Sequence, residues 1–360
     1  MVDNKRGKLG KRVVAVATAL VVVFFAASFV IDKIELDKTF ARKHVDYPTL
    51  TPTEEFAGAY DSEPVEFQFQ GATLRGYVYK ADQPKGFIVF RHGIGSDHSA
   101  YLALICAMVE RGWTVFAYDA IGSGISDGDN VKGMAQSALD VSAAIEFVRS
   151  NGMIGDLPLA LWGHSWGGYG VAAAMDIVPD VDACVSMSGY NSPVGVLMEF
   201  TERKMGLAGA TQFPTMWLNN KLTFGADADR TALDGINKTD APVLIIHGTD
   251  DKVVNYNGSA IIAQRDHITN EGVQYVDMDE PDRNGHNTYF YTEQASKYLN
   301  EKTAELEELK ERYPGGLPEK VVASFMEGYD YKRANVANPD LIEAIDTFLT
   351  ESCAQPAAAR

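Results

Sequence analysis

Residues 159–170 read LALWGHSWGGYG, in which a run of apolar residues leads into a serine that glycines surround. Ser165 lies two residues after Gly163 and two residues before Gly167. This pattern predicts a strand that turns sharply into a helix. In such a turn the serine is either a plain helix N-cap or a side chain that the turn holds up at the end of the strand. The rest of the chain decides between these two interpretations.

Short apolar runs alternate with helical patterns on both sides of this turn. The runs predict strands that are buried on both faces, and the helices between them predict parallel β-α-β units. Before them, VEFQFQ and LRGYVYK alternate apolar and polar residues, as a hairpin does. We therefore expect an α/β fold with a mostly parallel, doubly wound sheet; the buried runs are 86–90, 113–119, 157–163, 181–189, 241–248 and 273–279.

Two segments do not fit this alternation. Residues 191–240 carry methionine, phenylalanine and tryptophan among polar residues, which indicates a helical cap inserted between two strands. Residues 292–338 form an extra helical segment that is rich in charge and is broken by PGGLP. We expect one folded domain over residues 64–349, closed by an amphipathic helix and followed by a tail at 350–360.

The N-terminus carries a long apolar run. Residues 13–31 hold no charge, and five lysines and arginines precede them in residues 1–12. A helix of this length is about 28 Å long, which matches the hydrocarbon core of a bilayer. We predict a transmembrane signal anchor with a cytoplasmic N-terminus, since an excess of Lys and Arg stays inside. Residues 32–63 would then be a linker to a domain outside the cell membrane. Signal cleavage and secretion is the alternative.

The overall composition excludes several functions. The net charge is −17, so no basic face is available to bind nucleic acid. The three cysteines lie far apart and form neither a disulfide framework nor a zinc motif. We expect no cofactor and no metal. The sequence does not determine the oligomeric state.

Two later turns supply partners for the serine. HGTDDKVV (247–254) follows a late strand and offers Asp250 and Asp251, and NGHN (284–287) offers His286. The chain order is Ser, Asp, His, which is the order of the triad in α/β-hydrolases. These partners favour Ser165 as an exposed nucleophile over the plain N-cap.

An earlier turn supplies an oxyanion site. FRHGIG (90–95) follows a predicted buried strand, and His92 and Gly93 at that turn expose the backbone amide of Ile94. The amide of Trp166 lies at the start of the helix after the serine, where helix N–H groups are free. We expect Ile94 and Trp166 to be the two oxyanion donors.

The motifs together resemble the α/β-hydrolase superfamily over about residues 65–349. HGIGSDHSAY, GWTVFAYDAIGSGISDG and LWGHSWGGYG are similar to the branch of monoacylglycerol lipases, lysophospholipases and serine aminopeptidases. GTDDKVV resembles the G-x-x-D-x-x-V of that branch, which selects Asp251 over Asp250. The chain departs from the branch at Arg91, Ala120 and Ser123.

The resemblance implies a role for each residue. Ser165 is expected to attack a carbonyl, His286 to carry its proton, and Asp251 to orient the imidazole. In this architecture the inner face of the cap also lines the acyl pocket. The expected substrate-binding residues are His92, Gly93, Met198, Phe213 and Trp217.

The leading prediction is therefore a serine hydrolase that cleaves small-molecule or lipid esters. One alternative is a serine aminopeptidase or amidase of the same fold. The other is a catalytically silent binding scaffold at the cell surface, and the intact Ser, Asp and His argue against it.

Overall fold

The predicted strands pair into one eight-stranded sheet, in a computed structural model that describes residues 2–43, 48–52, 57–58, 60–178 and 180–354. The strands are β1 (Asp61–Phe69), β2 (Ala72–Lys80), β3 (Gly86–Arg91), β4 (Trp113–Tyr118), β5 (Leu159–His164), β6 (Ala183–Met187), β7 (Val243–Gly248) and β8 (Val273–Met278). Their order across the sheet is β1-β2-β4-β3-β5-β6-β7-β8. The pairs β1–β2 and β2–β4 are antiparallel and the others are parallel. The mostly parallel sheet predicted from the apolar runs is confirmed.

Helices cover both faces of the sheet. Every residue of β3 to β7 is buried, as strands between two helix layers must be. The apolar core on one face includes α2 (Leu102–Glu110) and α11 (Pro339–Cys353). The core on the opposite face includes α3 (Gln136–Ser150), α4 (Trp166–Ala174) and α7 (Ala232–Asn237). The doubly wound architecture follows from these two cores.

Further helices lie in the two segments that broke the alternation. The cap between β6 and β7 contains α5 (Pro193–Met205) and α6 (Phe213–Phe224) in addition to α7. The charged segment contains α8 (Glu293–Arg312), α9 (Glu319–Glu327) and α10 (Tyr331–Ala334). The closing helix α11 continues to Cys353, beyond the predicted start of the tail, and residues 355–360 lie outside the described part.

The N-terminal helix α1 is longer than the apolar run, because it extends from Val2 to Phe40. By length and composition it is able to cross a membrane, and a signal sequence near the N-terminus would have the same properties. The prediction of an irregular linker from residue 32 onward is wrong for residues 32–40. These residues stay helical because they pack on the cap, with Leu36 against the buried Val194, Met198 and Met216.

Candidate active site

The turn after β5 holds Ser165 in a strained conformation, with φ 57° and ψ −113°. Gly163 and Gly167 permit this turn. A Cβ on Gly163 would lie 2.3 Å from the carbonyl oxygen of Gly167, and a Cβ on Gly167 would lie 2.0 Å from that of Arg91. The amide of Ser165 also donates to the carbonyl of Met187 at 2.8 Å, which fixes the turn to β6. A strained, over-determined backbone at the end of a strand is typical of a functional serine rather than of a plain N-cap.

The three side chains expected to act together lie in one hydrogen-bonded chain. The Oγ of Ser165 is 2.8 Å from Nε2 of His286, and Nδ1 of His286 is 2.7 Å from Oδ2 of Asp251. Ser165 and Asp251 are buried, and the His286 side chain is 14% exposed. This arrangement suits a nucleophile whose proton is taken by an oriented base.

The structure separates the two candidate acids. The Asp250 side chain is exposed and pairs with Lys252, whereas Asp251 faces His286. Burial alone would raise the pKa of Asp251, but hydrogen bonds from His247 and His286 outweigh it and hold the pKa below its usual range. Oδ1 of Asp251 also accepts from the amide of Val254 at 2.9 Å. Asp251 is therefore a fixed carboxylate at neutral pH.

The two amides expected to hold an oxyanion are free in the described part of the chain. Trp166 is the first residue of α4, where a helical N–H has no acceptor within the helix. The N–H of Ile94 likewise has no acceptor among the described residues. Gly93 brings this turn close to the serine, since a Cβ on it would lie 3.5 Å from Cβ of Ser165.

The structure places His92 behind the oxyanion turn, where it is bonded to Gly93 and Ala120. The His92 side chain is fully buried, and its Nε2 accepts from the amide of Ala120 at 3.0 Å while Nδ1 donates to the Gly93 carbonyl at 2.7 Å. Burial lowers the pKa of His92 to about 3, so the ring is neutral. These hydrogen bonds fix the conformation of the turn from its buried side. They leave no surface of His92 to contact a substrate.

A second chain of hydrogen bonds links the oxyanion turn to the histidine. The phenol of Tyr101 accepts from the amide of Gly93 at 3.1 Å and lies 2.8 Å from Nδ1 of His164. Nε2 of His164 donates to the carbonyl of His286 at 3.0 Å. Burial, and then the proximity of His286, lower the pKa of His164 well below its usual value, so Nδ1 stays free to accept from the phenol. Sequence reasoning missed Tyr101, because nothing local marks a tyrosine at the start of a helix as part of a site.

A buried cation lies beside the Trp166 ring and the turn at His92. The guanidinium of Arg91 stacks 4.2 Å from the centre of the Trp166 ring and donates to the carbonyl of His92 at 3.1 Å. Its nearest anion is Asp140, at 3.5 Å, and both side chains are fully buried. Nε and Nη2 of Arg91 have no hydrogen-bond partner among the described residues. The sequence marked Arg91 only as a departure from the family pattern.

A cavity of about 690 Å³ adjoins the oxyanion turn. Its walls come from the turn at Ile94–Asp97, from residues 122–124, and from the end of α1 and the segment after it, including Arg42 and Lys43. Half of the residues that line this cavity have polar side chains.

The cap residues expected to bind substrate do not line this cavity. Met198 is buried in a small core between the cap and α1. Phe213 is 51% exposed and Trp217 is 40% exposed, on the outer side of α6. The sequence predicts the cap but not which of its faces points inward, because that depends on how the cap packs against the domain.

In the described residues, no group of three or more His, Cys, Asp or Glu side chains is arranged so that it could hold a metal ion.

Comparison with known sequences supports the family resemblance. Residues 82–226 match the family described as "Serine aminopeptidase, S33". A polyketide transferase of a Penicillium species is 31% identical over 133 residues, covering 33% of this chain and 45% of that protein. The human α/β hydrolase domain-containing protein 17C is 26% identical over 190 residues, covering 52% of this chain and 51% of that protein. The chain thus spans about half the length of the curated relatives it matches.

A solved esterase from Pyrococcus furiosus has the same fold. Its structure aligns with a TM-score of 0.52 and 16% sequence identity, and the match covers 76% of this chain and 98% of the esterase. At this identity the likeness establishes the fold alone.

Proposed function

We propose that this protein, which has the α/β-hydrolase fold, is a serine hydrolase that cleaves carboxylic esters; the family match of residues 82–226 supports the proposal. The single observation that carries the proposal is the hydrogen-bonded chain from Ser165 through His286 to Asp251. The free amides of Ile94 and Trp166 beside the serine support it further.

In the first half of the proposed reaction, the Oγ of Ser165 attacks the ester carbonyl carbon while His286 takes its proton. The carbonyl oxygen becomes an oxyanion that accepts hydrogen bonds from the amides of Ile94 and Trp166. The C–O bond to the alcohol then breaks, and the imidazolium returns the proton to the departing alkoxide. Asp251 stabilises the imidazolium between these two transfers.

In the second half, water hydrolyses the acyl-serine. His286 takes a proton from water, the hydroxide attacks the acyl carbon, and the same amides hold the second oxyanion. Collapse releases the carboxylic acid, and the proton on His286 returns to Oγ of Ser165. The net reaction consumes one ester and one water and yields one acid and one alcohol.

The test is a hydrolysis screen with p-nitrophenyl esters of graded acyl length beside alanine and proline p-nitroanilides. We expect short-to-medium acyl esters to be turned over faster than either anilide. The family description of residues 82–226 favours an aminopeptidase as the second candidate, and faster anilide turnover would establish it in place of the esterase. Folded protein that hydrolyses neither class and resists a fluorophosphonate probe would be a binding scaffold.

We also propose that α1 anchors the protein in the cell membrane, with residues 1–12 in the cytoplasm and residues from 32 onward outside. The uninterrupted apolar run and the lysines and arginines before it support this orientation. Protease added to intact cells should remove the catalytic domain, and washed membranes should retain the uncut protein. Full-length protein in the cytosolic fraction would refute the anchor, and a shortened form in the medium would establish a cleaved signal.

A further inference from the structure

Helix α1 contacts the cap where its apolar run ends. The side chain of Asn219 in α6 donates to the carbonyl of Phe29 at 3.3 Å, and Thr215 donates to the carboxylate of Asp32 at 2.5 Å. The apolar run ends at Ile31, so both contacts lie within about 3 Å of its end along the helix axis. A bilayer that α1 spans would therefore have its outer surface at the level of α6.

The exposed apolar side chains of the domain concentrate in the cap segment that makes these contacts. Outside α1, the described residues include ten large apolar side chains that are exposed, and six of these lie between residues 205 and 222. Leu207 is 98% exposed and Leu222 is 70% exposed. Isolated exposed apolar residues are common on soluble proteins, but a concentrated patch indicates an interaction surface. We define the cap apolar face as Met205, Leu207, Phe213, Trp217, Leu218 and Leu222.

The charge of this segment is opposite to that of the rest of the chain. The protein has 49 Asp and Glu residues and a net charge of −17, yet residues 203–226 contain none. The same stretch contains Arg203, Lys204 and Lys221. Arg203 is paired with Glu199, and Lys221 is paired with Asp229. The stretch therefore presents leucine, phenylalanine and tryptophan side chains with no acidic group of its own, a composition that suits the interface of a lipid bilayer.

From these three observations we infer that the cap apolar face lies in the headgroup region of the bilayer that α1 spans. The inference rests on the proposed membrane anchor. The partner is the headgroup surface of a lipid bilayer. The domain then stands directly on the membrane, with α1 and the cap as one contact, instead of being held away from it by a flexible linker.

The four tryptophans provide a probe for this contact. Trp113, Trp162 and Trp166 are fully buried, and Trp217 alone among the tryptophans is exposed. We would reconstitute the full chain in vesicles of phosphatidylcholine and phosphatidylglycerol with and without brominated acyl chains. Bromine quenches tryptophan only at close range, so we expect brominated vesicles to quench the emission of Trp217. The Trp217→Phe variant should lose most of the quenchable emission.

Each other outcome of this experiment counts against the inference. Protein that resists alkaline extraction but shows no quenching of Trp217 would have an inserted α1 and a cap held away from the lipid. Protein that alkaline washing extracts would lack the anchor, and the inference would fail with it. Hydrolysis of soluble p-nitrophenyl butyrate in the same vesicles reports the proposed esterase activity separately.

A second measurement uses the two most exposed leucines. In the Leu207→Ser, Leu222→Ser double variant, the equilibrium constant for binding of the cap to the membrane should fall by about tenfold or more. The reason is that the favourable transfer of two leucine side chains out of water is lost. Trp217 quenching and hydrolysis of long-chain esters in vesicles should fall, while the rate on soluble butyrate stays unchanged. Val336→Ser changes an exposed apolar residue between α10 and α11, outside the cap, and is the matched control. If the double variant instead dissociates a dimer in detergent and leaves the quenching unchanged, the face binds a second copy and the inference is wrong.

Discussion

The turn around Ser165 and the cap between β6 and β7 both connect to strands of the same sheet, but different interactions fix their positions. At the turn, backbone closeness leaves room only for glycine, and short hydrogen bonds join Ser165, His286 and Asp251. In the cap, α6 exposes leucines and aromatic rings and is tied to α1, a segment almost 200 residues earlier in the chain.

This difference reflects the different requirements of a reacting serine and of a surface that contacts a membrane. A reacting serine needs positions fixed to a fraction of an ångström, and buried, fully paired polar groups supply that rigidity. A surface that meets a membrane needs apolar area and charge of the right sign, and the exact partner of each side chain matters little. Substitutions at the turn should therefore affect chemistry, and those along α1 and the cap should affect contacts and access.

The largest expected effect is the loss of turnover in Ser165→Ala. Without the hydroxyl there is no nucleophile, so we expect kcat on a p-nitrophenyl ester to fall by about 10⁴-fold or more. Thermal melting should show an unchanged fold, because only an oxygen at the sheet edge is removed. Ser150→Ala, which removes an exposed hydroxyl at the end of α3, is the control and should keep full activity. Retention of most activity in Ser165→Ala would disprove the assignment.

The next effect compares two adjacent carboxylates. Asp251→Asn should lower kcat by about 10³–10⁴-fold, since an amide facing Nδ1 of His286 favours the wrong tautomer. Asp250→Asn should leave kcat within about twofold, because loss of an exposed ion pair has little effect. Steady-state kinetics of the two variants decide the matter, and equal losses would mean that the acid has been misassigned.

A smaller effect is expected behind the oxyanion turn. Arg91→Met removes the group that contacts both the His92 carbonyl and the Trp166 ring, so we expect kcat to fall by about tenfold with little change in KM. The variant also leaves Asp140 without its cation, which should destabilise the fold by about 3 kcal/mol. Adding Asp140→Asn should restore stability but not kcat. A double variant with normal kcat would show that Arg91 is purely structural.

Asp140 should also make stability depend on pH. Burial raises the pKa of Asp140 to about 6 from its usual 3.8, more than the attraction of Arg91 lowers it. Between these values the folded state binds a proton that the unfolded chain does not, so stability falls as pH rises from about 4 to 6. Denaturant unfolding in detergent measures the free energy of unfolding at pH 5 and pH 7. From pH 5 to pH 7 this free energy should fall by on the order of 1 kcal/mol more in the wild type than in Asp140→Asn. Equal losses in the two proteins would contradict this.

The smallest effect belongs to the segment after α1. Arg42 donates to the carbonyls of Gly124 and Gly128, at 2.8 and 2.9 Å, and so holds this segment against the wall of the cavity. In Arg42→Ala we expect the amide of Val131, which donates to the carbonyl of Phe40, to exchange about tenfold faster with solvent. Hydrogen exchange measures this. The side chain of Lys43 makes neither bond, so Lys43→Ala should behave as wild type. Equal protection of the Val131 amide in both variants would show that the Arg42 hydrogen bonds do not hold this segment.

The sequence by itself determined the strands, the turn at Ser165 and the positions of Asp251 and His286, because each rests on a local pattern. Apolar runs fix where strands form, and glycine spacing fixes where the chain can turn sharply. The choice of Asp251 over Asp250 came from the family resemblance of GTDDKVV.

Only the tertiary structure decided which distant segments meet. Tyr101 joins the site because α2 begins beside β5, and Arg91 faces Asp140 because α3 covers β3; no local pattern in the sequence encodes either contact. The polar residues 32–40 read as a linker, yet they stay helical because the cap covers one side of them. Phe213 and Trp217 point outward for a related reason. A cap side chain is buried only where the folded domain or α1 packs against it, and this depends on tertiary packing rather than on local sequence.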